Sequence, residues 1–223
     1  AVTTGPPPVF QSPVTSVTVV ALAYATTFFY LDTNAATPVV QAADSAGVLL
    51  STRQSVAIVQ DSISLVTVLP LSNSTLLAGA TTALLLQTQD RFGNPSEVQA
   101  GQEDAAQSYV EFSLAGSSPG PKRFASPTAA GFTNSTGTSR LIAGQHTTTF
   151  FLIDTFSSTT VRQVWGDEVQ DRSWSVVLAT YSVIAEQPAV ARITTPVRHL
   201  VAGSTGAAID VEFFDAYGNA TVS

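Results

Sequence analysis

Three Asn-x-Ser/Thr triplets carry the chemistry most directly permitted by spacing: Asn73-Ser74-Thr75, Asn134-Ser135-Thr136 and Asn219-Ala220-Thr221. The hydroxyl two residues on is what an N-glycosyltransferase requires, and the product is a bulky, solubilising sugar on an exposed loop. All three fall where loops or turns are expected. Asn73, Asn134 and Asn219 are therefore candidate glycosylation sites, weighed against unused triplets in a Thr-rich chain. The densest carboxylate group is Asp167-Glu168 with Asp171. Calcium would need more converging oxygens from a defined loop, so a solvated turn is the expected reading. His146 and His199 stand about fifty residues apart at the starts of expected strands, with no Gly-x-Ser-x-Gly elbow and no Cys nucleophile, and they offer little to catalysis. Trp165 and Trp174 could stack on a sugar, although filling the core near the last strands is the plainer role. Gly116–Lys122 lacks the Gly-x4-Gly-Lys spacing of a phosphate loop, and no helix is expected after it. No enzyme activity, metal site or cofactor is expected.

The composition narrows the class. Of the 223 residues, 44% are hydrophobic but only 11% are charged, well below the usual ~25%. Ser and Thr, 53 in all, supply the missing polarity, which fits a secreted or wall-associated glycoprotein. A net charge of −7 with a single lysine, Lys122, argues against nucleic acid or an anionic membrane as partner, since either wants a basic stripe. There is no Cys, hence no disulfide framework and no thiolate zinc site. No apolar run approaches the ~18 residues of a membrane span.

The elements that must hold these residues repeat along the chain. Thr27-Phe28-Phe29-Tyr30-Leu31-Asp32-Thr33 returns as Thr149-Phe150-Phe151-Leu152-Ile153-Asp154-Thr155, and Asp90-Arg91-Phe92-Gly93-Asn94 returns as Asp215-Ala216-Tyr217-Gly218-Asn219. Leu77-Ala78-Gly79 returns as Val201-Ala202-Gly203, and Ser55-Val56 as Ser182-Val183. The order is kept at offsets near 125, a size that suits one all-β sandwich. The sequence thus reads as tandem antiparallel β-sandwiches: 1–65 the later part of one repeat, 66–190 a complete one, and 191–223 the opening strands of a third.

Within 66–190 the short Val/Ile/Thr/Phe/Leu runs bounded by Gly, Pro, Asn and Ser predict seven strands: 66–70, 81–89, 107–115, 138–143, 147–154, 159–165 and 173–186. Val110, Phe112 and Leu114 alternate with Tyr109, Glu111 and Ser113, as a strand with one wet face does. Ile209, Val211 and Phe213 are expected inward against Asp210 and Glu212 outward. In the Asp-x-aromatic-Gly-Asn turn, Asp90 and Asp215 fold onto the following backbone, and the Gly or the Asn (Gly93 or Asn94, Gly218 or Asn219) takes the left-handed conformation the turn needs. The Thr-Phe-Phe strand is apolar on both faces. This marks Phe28, Phe29, Tyr30, Phe150, Phe151 and Leu152 as a candidate packing or contact strand, covered by the same domain, a neighbouring repeat or a subunit.

The strand ending in Asp90-Arg91-Phe92-Gly93-Asn94-Pro95, the acidic Gly/Gln-rich loop after it and Tyr109–Leu114 together resemble the first half of a filamin-type immunoglobulin-like (E-set) repeat. The later Thr-Phe-Phe-x-x-Asp-Thr strand resembles that family's Tyr-rich strand, with Asn34-Ala35-Ala36 and Phe156-Ser157-Ser158 replacing its usual Ala-Gly step. The resemblance implies tandem immunoglobulin-like sandwiches of the kind in extracellular surface and adhesion glycoproteins of green algae and plants. Bacterial invasin-like repeats, with a similar Asp-x-x-Gly-Asn turn, are the nearest rival.

The function expected is a non-catalytic structural segment of an extracellular or cell-surface glycoprotein, a filament, coat or stalk. Its partners would be neighbouring repeats of the same chain and identical or related subunits. The alternative is an adhesin or receptor ectodomain binding a protein or glycan through its loops. An accessory module of a secreted enzyme is a third class.

Overall fold

A computed structural model of the chain describes residues 16–19, 25–70, 74–105, 107–125, 131–134, 136–197, 199, 202–203, 206 and 208–221. The described residues are all strand, turn and loop, with no helix. The chain divides into two compact units, Ala1–Gln60 and Asp61–Ser223.

In the first unit, strands β1 (Val39–Ala42) and β2 (Thr52–Ser55) form an antiparallel hairpin. Segment 27–33, expected as a strand, is not one; Phe28, Phe29, Tyr30 and Leu31 are exposed. The matching segment of the second unit is held between two strands.

The second unit holds two sheets around one core. The first runs, in spatial order, β12 (Ser175–Val177), β3 (Leu65–Leu69), β5 (Thr82–Gln89), β10 (Thr147–Asp154), β7 (Lys122–Ala125) and β8 (Thr133–Asn134). The second runs β4 (Ser74–Leu77), β13 (Ala179–Ile184), β11 (Ser158–Glu168), β6 (Val110–Gly116) and β9 (Gly137–Leu141). Alternation along each strand sends one set of side chains inward. Val66 and Val68, Leu84 and Leu86, Phe124, and Phe150 with Leu152 come from the first sheet. Phe112 and Leu114, Leu141, Val164, Tyr181 and Val183 meet them from the second. Burying each such side chain is worth about 1.5–3 kcal/mol, so the strand period sets the fold.

Three expectations are corrected. The sheets are mixed rather than wholly antiparallel, because β12 lies parallel to β3 and β13 parallel to β4. The chain crosses from one sheet to the other after β3, beside Pro70, and again at Leu178, so β4 and β13, which continue β3 and β12 in the second sheet, lie parallel there as β3 and β12 do in the first. The single last strand expected at 173–186 is accordingly two, β12 and β13. Finally, β4, β7 and β8 were not expected. They are segments of two to four residues at or next to a sheet edge, too short to show a period.

Past the core, β14 (Val190–Ile193) pairs with β15 (Val211–Phe214) in a hairpin that copies β3–β5. Leu65↔Gln89 recurs as Val190↔Phe214, and Val68↔Leu86 recurs as Ile193↔Val211. Ile209, Val211 and Phe213 do not face a core: all are exposed, since no second sheet covers them among the described residues.

Candidate contact site

The Asp-x-aromatic-Gly-Asn turn is built the same way twice. Asp90 N donates to Asn94 O at 2.9 Å, and Asp215 N to Asn219 O at 2.9 Å. Gly93 N and Gly218 N return to the Asp90 and Asp215 carbonyls at 3.0 and 3.2 Å. One carboxylate oxygen of Asp90 accepts from Phe92 N and Asn94 N at 2.8 and 3.0 Å; that of Asp215 accepts from Tyr217 N and Asn219 N, both at 2.9 Å. The other oxygen takes the Asn side-chain amide and a distant backbone N–H: Asn94 and Asp61 at 2.9 and 3.1 Å, Asn219 and Glu186 at 2.8 and 3.2 Å. A hydroxyl closes each set, Ser96 Oγ on Asp61 O and Thr221 Oγ1 on Glu186 O, at 2.7 and 3.0 Å. Gly93 and Gly218 sit at φ 87° and 86°, where a Cβ is strained.

Both carboxylates are almost fully buried. Burial raises the pKa of each, but the surrounding N–H donors, with the Asn side-chain amide foremost, outweigh it and leave the net value below 3.8. A carboxylate saturated with N–H donors stays ionised and holds its turn rigid.

The second copy also docks on the central unit, the two sheets between Leu65 and Ile184. Asn219 Nδ2 donates to Thr155 O at 2.8 Å, and Ser157 N donates to Asn219 Oδ1 at 2.8 Å. The Tyr217 ring lies over Gly79, so a Cβ there would overlap the phenol; Gly79 is also at φ 76°. Asp154, itself buried, fixes the seat. Its Oδ1 accepts Phe156 N at 3.1 Å, which bends the chain through Thr155 to Ser157. Its Oδ2 accepts from Arg162 Nη1 at 2.9 Å and Tyr181 Oη at 3.0 Å. Gly79 N reaches Asp154 O at 2.9 Å, drawing both halves of the seat to one residue. Burial, then the Asp154 carboxylate, pushes the Tyr181 phenol far above its ordinary pKa, so it remains a donor.

Of the sequence-predicted candidates outside the turn motif, none belongs to this seat, and Asn219 is in it as a docking residue rather than a sugar acceptor. Asn219 was expected on an accessible turn, yet it is buried and its Nδ2 makes two hydrogen bonds; an attached sugar would displace at least one. The first copy reads Asn94-Pro95-Ser96, and proline at the middle position removes the acceptor motif. Asn134 lies in β8 rather than a loop, and Asn73 lies outside the described residues. Phe150 and Leu152 are core residues, not a contact face, while Phe151 and Ile153 are half-buried on the outer side of β10.

Glu168 is buried rather than solvated, and its Oε1 accepts Arg172 N and Trp174 N at 2.6 and 3.3 Å. It organises the loop in which Asp171 and Ser173 have positive φ; Asp167 is exposed. No group of three His, Asp or Glu residues able to hold a metal occurs among the described residues. Trp174 stacks on Phe112 with ring centroids 6.3 Å apart, and Trp165 is half-buried on β11. His146 is half-buried and His199 exposed. Lys122 Nζ donates to Ser118 O at 2.9 Å, and strand β7, not a helix, follows the Gly116–Pro121 loop.

Sequence reasoning missed the Asp154–Arg162–Tyr181 network. Asp154 lies in a repeated heptapeptide, but Arg162 and Tyr181 fall opposite Val40 and Gln54 in the first repeat, so only the Asp carried a signal. Val40 and Gln54 are nonetheless paired in register, as Arg162 and Tyr181 are. Gly79 was flagged by its recurrence at Gly203.

No protein-family model matches the chain, and no curated protein matches it in sequence. Among solved structures, it is similar to domains 4 and 5 of the S-layer protein SbsC at 9% identity and a TM-score of 0.35, over 61% of this chain and 59% of that one. It is similar to the structure of SbsC domains 1-6 at 12% identity and a TM-score of 0.35, covering 78% of this chain and 19% of that one. For the S-layer protein rSbsC(31-844) the values are 12% and 0.33, covering 79% and 19%.

Proposed function

We propose that the chain is a non-catalytic structural stretch of an extracellular or cell-surface glycoprotein. In this reading it is a run of filamin-type immunoglobulin-like sandwiches forming a filament, coat or stalk. The observation that carries it is the hairpin β14–β15, which repeats the register of β3–β5 pair for pair at an offset of 125 residues. A unit that reproduces its own strand pairing along a chain is suited to extending a surface by length. The hydroxyl-rich, Lys-poor surface supports exposure outside the cell, and its partners are neighbouring repeats and identical or related subunits. Among the described residues no helix is long and apolar enough to cross a membrane.

The test joins location and shape. Immunogold labelling of intact and permeabilised cells of the source should place the protein on the outside. Small-angle scattering of chains cut to increasing repeat number should show a rod that lengthens by a constant step. Label confined to the cell interior, or a particle that stays globular, would overturn the reading.

A further inference from the structure

We propose that the end of the central unit formed by Gly79, Thr155 and Ser157 is a socket, and that the Asp215–Asn219 turn is the plug it accepts. The β14–β15 hairpin then meets the central sheets at one fixed angle rather than through a swinging linker. This rests on the array reading and names the surface by which one repeat takes the next.

The bonds that close the turn are the same in both copies, so the contacts with Thr155, Ser157 and Gly79 are additional to them. Those contacts have a chemistry that few residues satisfy. Asn219 presents a donor to Thr155 O and an acceptor to Ser157 N from one planar amide, while its remaining amide hydrogen stays on Asp215. Aspartate would turn an acceptor toward both a carbonyl and a carboxylate. Glutamine would carry the amide one methylene too far. The socket floor is restricted for two separate reasons, the left-handed backbone of Gly79 and the ring of Tyr217 above it.

The repeat offers the same floor again. Gly203, the counterpart of Gly79, has φ 82°, and nothing described lies within 4 Å of the place its Cβ would occupy. Both the turn and the glycine of the floor therefore recur along the chain.

The test uses the full 223-residue chain, isotopically labelled, with amide exchange read residue by residue. The Ser157 N–H should be protected in the unaltered chain and exchange about tenfold faster or more in Asn219→Asp, which loses both Nδ2 hydrogen bonds and sets a carboxylate against Thr155 O and the Asp215 carboxylate, so that the turn leaves its seat. Tyr217→Ala separates joint from turn, because only the Tyr217 backbone N–H serves the turn itself. In that variant Ser157 should open while Gly218 and Asn219 keep their protection, and Phe112 in the core is unchanged. Residual dipolar couplings should fit one alignment for β14–β15 and the central sheets in the unaltered chain, and two in Tyr217→Ala. Equal Ser157 protection in all three proteins, or two alignments in the unaltered chain, would overturn the joint. A rigid joint in a protein found only inside cells would leave this inference standing and remove the cell-surface reading instead.

Discussion

Replacing Asp154 by Ala should be among the most damaging single changes to the central unit. The carboxylate is fully buried and faces the Arg162 guanidinium at 2.9 Å, whose side chain is only 3% exposed. Arg162 Nη2 already lacks a hydrogen-bond partner in the described structure, so removal of Asp154 leaves the whole cation with nothing but the Phe156 ring, 5.3 Å away. The Tyr181 hydroxyl and Phe156 N lose their acceptor in the same step. Breaking a buried pair in this way costs about 3–5 kcal/mol, against a stability of about 5–15 kcal/mol for a domain. With a urea slope of about 2 kcal/mol/M for a domain of this size, the unfolding midpoint should fall by about 2 M. The assay is urea unfolding followed by tryptophan fluorescence and by circular dichroism, with coincident curves as the sign of a two-state transition. The double variant Asp154→Leu/Arg162→Met should recover most of the loss, because it removes both charges and keeps the volume. A fall of less than about 0.5 M in the single variant, or a double variant no better than it, would refute an argument based on an orphaned buried charge.

Further outcomes follow from the same geometry. Phe150→Ala opens a cavity between Phe124 and the second sheet and should cost about 3–5 kcal/mol by the same urea assay. Peptide mass analysis of protein from its natural source should find Asn219 unmodified in chains whose turn is docked; a glycan on Asn219 together with a protected Ser157 N–H would contradict the seat. Asp90 and Asp215 have pKa values lowered from 3.8, so the stability they contribute is present above that value and is lost as pH falls through the folded values. Thermal unfolding between pH 7 and pH 2 should show this loss, reduced in Asp215→Asn. Tyr181 is shifted the other way: its contribution is full below its unfolded value of 10.0 and is lost as pH rises above it, a decline that Tyr181→Phe should abolish.

Where local chemistry is self-sufficient, the sequence was legible. The turn at Asp90 and Asp215 needs only its own Asp, Gly and Asn, so five residues announce it wherever they occur. Val110, Phe112 and Leu114 announced their inward face because a two-residue period survives any choice of partner strand. The site was less legible. The Thr-Phe-Phe pattern recurs, but its meaning depends on what flanks it: Phe150 is fully buried between paired strands, while Phe28, in no strand among the described residues, is half exposed. Asn219 satisfies a glycosylation motif in sequence and is excluded from it in space, because a triplet says nothing of where its side-chain nitrogen points.

By itself the sequence determined the all-β class, the repeat of about 125 residues, the inward face of β6 and the two special turns. Each of these rests on short-range physics, namely alternation, left-handed glycine and an Asp side chain folding onto nearby backbone. Only the tertiary structure decided that the chain changes sheets at Pro70 and Leu178, that Glu168 is buried, and that Asp154, Arg162 and Tyr181 share one network. It alone brought Asn219 to Thr155 and Ser157, more than sixty residues away. Such pairings depend on which sheet edge meets which loop, and burial of the whole core settles that; no spacing of residues along the chain encodes it.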